Sequence, residues 1–145
     1  MWSDESACEA TARLLASRPG IRGAHIQLQG CLGAGKTTFA RHLLRALGVT
    51  GSIKSPSYAL MEPYAAPGLS AWHFDFYRFN DPHEWEDAGF RDLFAETGLK
   101  LVEWPEKASG LLPPADLRIE LEPMENDQRR VSFDAFTALG RELLP

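Results

Sequence analysis

The sequence is short of cysteine, of net positive charge and of long apolar runs, and each shortage excludes a class of protein. Its two cysteines, Cys8 and Cys31, are too few for a disulfide framework and too badly placed for a zinc site. They read as reduced thiols. No apolar stretch approaches the roughly 20 residues a helix needs to cross a bilayer. The N-terminal Met1-Trp-Ser-Asp-Glu-Ser6 is acidic and lacks the apolar core of a secretory signal, so the expected location is the cytoplasm with no membrane partner. Lysine and arginine number 15 against 20 aspartates and glutamates, for a net charge of -5. That balance excludes a protein gripping bare nucleic acid by charge alone, though not one that works on RNA within a larger assembly. Internal repeats, low-complexity tracts and linkers are also missing, so residues 1–145 read as a single domain.

What is present alternates between strand and helix patterns. Ser6 to Glu9 reads as a capping box, and Ala10, Leu14 and Leu15 carry the helix that follows until Pro19-Gly20 stops it. Ala24, Ile26 and Leu28 alternate with His25, Gln27 and Gln29, a strand. Thr37 to Leu47 is a helix with Phe39, Ala40, Leu43, Leu44 and Leu47 on its apolar side. Ala71 to Arg78 alternates Trp72, Phe74 and Phe76 with polar residues, a second strand. Asp81-Pro82, with Glu84, is a helix start. Lys100 to Trp104 is a short strand. Leu117 to Glu122 and Arg130 to Phe133 pair as a hairpin around Asn126-Asp127-Gln128, and a last helix runs from about Asp134 to Leu144. The intermixing predicts an α/β sandwich with a mixed sheet.

Between the first strand and the second helix stands Gly30-Cys-Leu-Gly-Ala-Gly35-Lys36-Thr37, a match to the P-loop pattern G-x-x-x-x-G-K-[ST]. The strand before it and the amphipathic helix after it are the context that pattern requires. Glycines allow successive backbone N–H groups to turn inward on one anion, and the helix N-terminus adds about half a positive charge. Nucleotide contacts are therefore expected from Gly30, Gly33, Ala34, Gly35, Lys36, Thr37 and Thr38. Lys36 is expected on the β- and γ-phosphates, Thr37 on Mg²⁺ and Thr38 on the α-phosphate. A P-loop also needs an acid on the magnesium side. Two strand ends offer one, Glu103 after Lys100-Leu-Val and Asp75 after Trp72-His-Phe.

The linked motifs resemble the TsaE family, the ATPase subunit of bacterial tRNA threonylcarbamoyladenosine biosynthesis. Gly30 to Thr38, Ser55-Pro-Ser-Tyr58, His73-Phe-Asp-Phe-Tyr-Arg78, Asp81-Pro82 with Glu84, and Leu101-Val-Glu-Trp-Pro-Glu106 occur in that family's order. Leu112-Pro113 with Ala115-Asp116 and a terminal Arg-Val…Leu-Gly pattern extend the likeness over almost the whole chain. The resemblance implies a P-loop NTPase-like three-layer sandwich with a mixed sheet of about seven strands. It implies ATP as the nucleotide, in keeping with the lack of an Asn-Lys-x-Asp guanine-reading motif. It selects Glu103 with Thr37 as metal ligands, Asp75 as the group that positions or activates water, and Lys36, Asp75 and Glu103 as the catalytic set. Thr11 and Arg129 are implied as further nucleotide-side residues, and Ser55 to Tyr58 as a switch-like loop. TsaD and TsaB are the implied partners, with tRNA met only through their complex. ATP cleavage would reset that complex between rounds, slowly alone and faster when partners order the switch loop.

Two positions depart from the family. Cys31 stands where aspartate is usual in the loop, and Ser57 where the switch has threonine. Serine keeps the hydroxyl, whereas cysteine loses a carboxylate. Two other readings compete with the ATPase: an assembly module that binds nucleotide with negligible turnover, which the Cys31 change keeps open, and a small-molecule kinase, which the P-loop permits but for which no arginine-bearing lid is visible.

Overall fold

The alternation centred on Ile26 and Leu28 produces strand β1 (His25–Gln29), and the sheet is built outward from it. A computed structural model describes residues 1–56 and 60–145; Ser57 and Tyr58 of the switch-like segment lie outside the described residues. The remaining strands are β2 (Met61–Ala66), β3 (Leu69–Asp75), β4 (Leu99–Glu103), β5 (Leu117–Pro123) and β6 (Arg129–Ala135). Their spatial order is β2-β3-β4-β1-β5-β6. β3, β4, β1 and β5 run parallel, and β2 and β6 close the two edges antiparallel. Pro63 is tolerated in β2 because that strand is an edge. β4 is buried along its whole length, as a parallel strand covered on both faces must be.

Helices α1 (Glu5–Ala16), α2 (Lys36–Ala46) and α5 (Ala138–Leu143) cover one face. Ala12, Leu15, Phe39, Leu43 and Leu143 pack there against Ile26, Leu28, Leu101, Leu117 and Ile119. The short helices α3 (Pro82–Asp87) and α4 (Phe90–Ala95) cover part of the other face, where Trp85 and Phe90 pack on Phe74, Phe76 and Val102. Phe74 stacks on Phe94 with centroids 4.6 Å apart and meets Phe90 edge-on at 5.4 Å. The result is a three-layer α/β sandwich.

The register decides where chemistry can occur. Asp75 stands opposite Glu103, and Glu103 opposite Leu28, so the C-terminal ends of β3, β4 and β1 come level at one rim. In open parallel sheets that rim, outside the carboxyl ends of the strands, is where ligands are held.

Several sequence expectations are corrected. The sheet has six strands among the described residues rather than about seven. α1 is capped by Asp4, whose carboxylate accepts from the Ala7 N–H at 3.1 Å, so Ser6 falls inside the first turn and the Ser6–Glu9 box does not form. The strand expected to reach Arg78 leaves the sheet after Asp75. The last helix starts at Ala138, capped by Thr137, because β6 pairs with β5 as far as Ala135 opposite Leu117. β2 was not expected at all. No helix among the described residues is long and apolar enough to cross a membrane. Both cysteines are free; burial, with Glu5 and Glu9 nearby, pushes the Cys8 thiol up to about 12, whereas Cys31 is exposed.

His25 opens β1 from a buried position, its Nδ1 3.2 Å from the Pro114 carbonyl and its ring against Phe94. Burial lowers its pKa from 6.5 to about 4, against the opposing pull of Pro114 and Asp116. Between those two values the unfolded chain binds the proton and the folded one refuses it. Stability is therefore unaffected above pH 6.5, falls as pH drops towards 4, and loses about 3 kcal/mol over that window. Urea denaturation at pH 7 and pH 4 should show this loss in the wild type and a correspondingly smaller one in His25→Gln.

Candidate functional site

The chain between β1 and α2 makes one tight turn, and glycine is what permits it. A Cβ on Gly30 would lie 2.6 Å from the Leu121 carbonyl oxygen and 3.0 Å from the Ala34 Cβ, so no larger residue fits. Gly35 takes φ +105° directly before α2, a conformation that side-chain-bearing residues rarely adopt. Ala34 between them is buried, its N–H bonded to the Cys31 carbonyl at 3.1 Å. The free N–H groups of the first turn of α2 therefore open onto the rim where β3 and β4 end.

Lys36, only 4% exposed, curls over this loop. Its Nζ donates to the Gly30 and Cys31 carbonyls and sits 3.9 Å from the centre of the Trp104 ring. Burial pulls the ammonium pKa below its ordinary value, while Glu103, Asp75 and Glu106 oppose that shift. Trp104 holds its position with a left-handed backbone, φ +56°, and packs against Tyr77 with centroids 5.0 Å apart.

Thr37 and Glu103 meet directly. The Thr37 hydroxyl lies 3.0 and 2.8 Å from the two Glu103 carboxylate oxygens. Glu103 is 2% exposed and is also met by His73, whose Nε2 is 2.6 Å from Oε2. Asp75 stands beside them at the end of β3. One of its oxygens accepts from the Ser55 hydroxyl at 2.9 Å and the other from the Tyr77 N–H at 3.0 Å. Gly33, Ala34, Gly35, Lys36, Thr37 and Thr38 line a cleft of about 260 Å³ together with Ser55, Asp75, Glu103 and Trp104. A larger recess of about 440 Å³, walled by Gln27, Pro113, Arg118 and Phe136, carries no such grouping of acid, ammonium and backbone donors.

Behind the loop a smaller recess of about 130 Å³ is lined by Trp2, Cys8, Ala34, Gly35, Thr38 and Arg129, among others. Arg129 reaches it by donating Nε to the Ala34 carbonyl at 3.0 Å. Thr11 stands one side chain back. Its hydroxyl accepts from Trp2 Nε1 at 2.9 Å and donates to the Ala7 carbonyl at 3.1 Å. Trp2 stacks on Phe39 and pairs its backbone with Arg129. The fold thus brings together Gly30, Gly33, Ala34, Gly35, Lys36, Thr37, Thr38, Asp75, Glu103 and Arg129, and connects Thr11 to them through Trp2. Two participants escaped the sequence reading. His73 had a signal, since it lies two residues before Asp75 and so on the same face of the strand. Trp2 had none.

A family model described as threonylcarbamoyl adenosine biosynthesis protein TsaE matches residues 2–131. The chain belongs to the TsaE family. The Haemophilus influenzae tRNA threonylcarbamoyladenosine biosynthesis protein TsaE is 42% identical over 119 residues, which span 82% of this chain and 75% of that protein. Its Bacillus subtilis counterpart is 36% identical over 110 residues, 76% of this chain and 68% of that one. The crystal structure of B. subtilis YdiB superposes with a TM-score of 0.78 at 28% identity, over 97% of this chain and 86% of that chain. This likeness extends to the P-loop NTPase-like fold, so the TsaE cleft described above lies on a shared scaffold.

In this TsaE-family chain the Thr11 hydroxyl is the partner of a buried indole N–H. Thr11→Val keeps the shape and removes the acceptor, which should cost about 1–3 kcal/mol for the orphaned Trp2 donor. Denaturation without nucleotide should register that loss. A variant of unchanged stability that bound nucleotide weakly would instead put Thr11 on the ligand.

Proposed function

We propose that this chain is a magnesium-dependent ATPase that works in the cytoplasm with the TsaB–TsaD pair in tRNA threonylcarbamoyladenosine biosynthesis. The observation that carries the reading is the pairing of Thr37 with Glu103 at the mouth of the glycine-rich loop. A hydroxyl and a buried carboxylate side by side are hard oxygen donors, the type Mg²⁺ takes, and Mg²⁺ usually takes only one or two from protein while keeping water and phosphate oxygens. The residues fit that ion. Thr37 and Glu103 would hold it, and once bound it would neutralise charge on the β- and γ-phosphate oxygens.

The chain's own groups account for the remainder. The N–H groups of Gly35 to Thr38 cradle the phosphates, and Lys36 sets a positive charge beside them. Trp104 and Tyr77 wall one side of the cleft. Asp75 lies on the same face as Glu103 and accepts the proton of the attacking water as its oxygen adds to the terminal phosphorus, while the bond from that phosphorus to the bridging oxygen breaks and its electron pair leaves with ADP. Ser55, the first residue of the switch-like segment, is bonded to Asp75, so a partner that holds Ser55 also fixes the acid. That coupling supports slow hydrolysis alone and faster turnover in the TsaB–TsaD complex, with ATP cleavage resetting the complex. A second reading rests on Cys31, which is exposed in the loop and brings no carboxylate: a nucleotide-gated assembly module with negligible turnover.

Two variants and one addition experiment separate these readings. Lys36→Ala should lose most Mg·ATP binding in calorimetry. Asp75→Asn should bind Mg·ATP as the wild type does while turnover falls about 10²–10⁴-fold. Phosphate release should accelerate when TsaB and TsaD are added to the wild type. Equal rates with and without them would remove partner dependence, and assembly without any turnover would favour the module.

A further inference from the structure

His73 is fully buried, with no exposure of its side chain, in the middle of the sheet, an unusual place for an imidazole unless something there requires it. It sits on β3 opposite Leu101 of β4, and its ring reaches two residues along β4 to Glu103. The contact is short, 2.6 Å from Nε2 to Oε2. The Thr37 hydroxyl meets the same carboxylate from the α2 side. Glu103 is therefore clamped between a ring from one strand and a hydroxyl from a helix, with little freedom to turn.

The direction of the His73 bond follows from elementary inventory. An ionised carboxylate only accepts, so the hydrogen lies on Nε2 and the ring donates. Nδ1 is buried and has no hydrogen-bond partner among the described residues. Buried N–H groups without an acceptor are rarer in folded proteins than buried acceptors without a donor, which favours a lone pair at Nδ1. Both ends of the ring thus agree on one tautomer, with the hydrogen on Nε2.

We infer that His73 is the positioning residue for Glu103, holding its carboxylate at one orientation so that the oxygens are presented to the metal beside Thr37. This rests on the proposed role of Glu103 as a metal ligand. Partners that orient a ligating group typically change metal affinity by about 10–100-fold when removed. Asp75 and Lys36 do not touch His73 in the hydrogen-bond network, so nucleotide contacts away from the metal should be spared.

The test compares affinity for a non-hydrolysable ATP analogue with and without magnesium, by calorimetry on the full chain. The gain in affinity on adding metal is the readout. His73→Leu should reduce that gain about 10–100-fold and leave the metal-free affinity unchanged. His73→Gln, whose amide nitrogen reaches as far as Nε2, should restore most of it, and His73→Asn, whose amide falls short, should not. A gain in His73→Leu or His73→Asn equal to the wild type would overturn the inference, as would His73→Gln behaving like His73→Asn. Glu103→Gln separates the two levels. If it keeps the full gain, the metal reading of Glu103 fails; if it loses the gain while His73→Leu keeps it, only the role of His73 fails. Ring nitrogen NMR of the unaltered chain gives a variant-free check: the inference requires the hydrogen on Nε2, and a proton found on Nδ1 alone contradicts it.

Discussion

The carboxylate of Glu103 is the point on which the site turns. It ends the fully buried strand β4, and such a position is costly for an acid unless every oxygen is engaged. His73 from β3 and Thr37 from α2 provide that engagement, so the acid also joins three elements that are far apart in sequence. The position of α2 relative to the sheet, and with it the direction of its free N–H groups, is tied to this contact.

The glycine-rich turn is the complementary constraint. Gly30 must pass close to the Leu121 carbonyl of β5, so the loop is fixed against one side of the sheet while Glu103 fixes the other. Arg129 and Trp2 close the back of the turn, one through the Ala34 carbonyl and the other by stacking on Phe39. The first residues of the chain are thereby built into the wall behind the loop.

Much of this was legible in the sequence, for physical reasons that differ by residue. The P-loop was legible because its chemistry dictates residue type position by position, and β1 and α2 because their periodicities change cleanly across it. Glu103 and Asp75 could be found as candidates, since an acid after an apolar strand is conspicuous, but pairing across strands is needed to see that they are neighbours. Met61 to Ala66 reads poorly as a strand because it holds a proline and two alanines; it forms one only by pairing with β3. The start of α1 was misplaced because Asp4 and Ser6 are both good caps, and their competition is settled by which carboxylate or hydroxyl meets a free N–H. Asp134 and Ala135 were assigned to a helix because local pattern does not reveal the ladder with β5 that holds them. His73 lies within an aromatic strand, where a histidine looks like packing until its partner Glu103 is seen.

We propose that Thr37 and Glu103 together form the metal side of a nucleotide site. Crystals grown with manganese and a non-hydrolysable ATP analogue test it most directly, through the anomalous signal of the ion. A single peak is expected, in contact with the Thr37 hydroxyl and the Glu103 carboxylate. A peak held by Asp75 while Glu103 stays bound only to His73, or none at the loop at all, would contradict it.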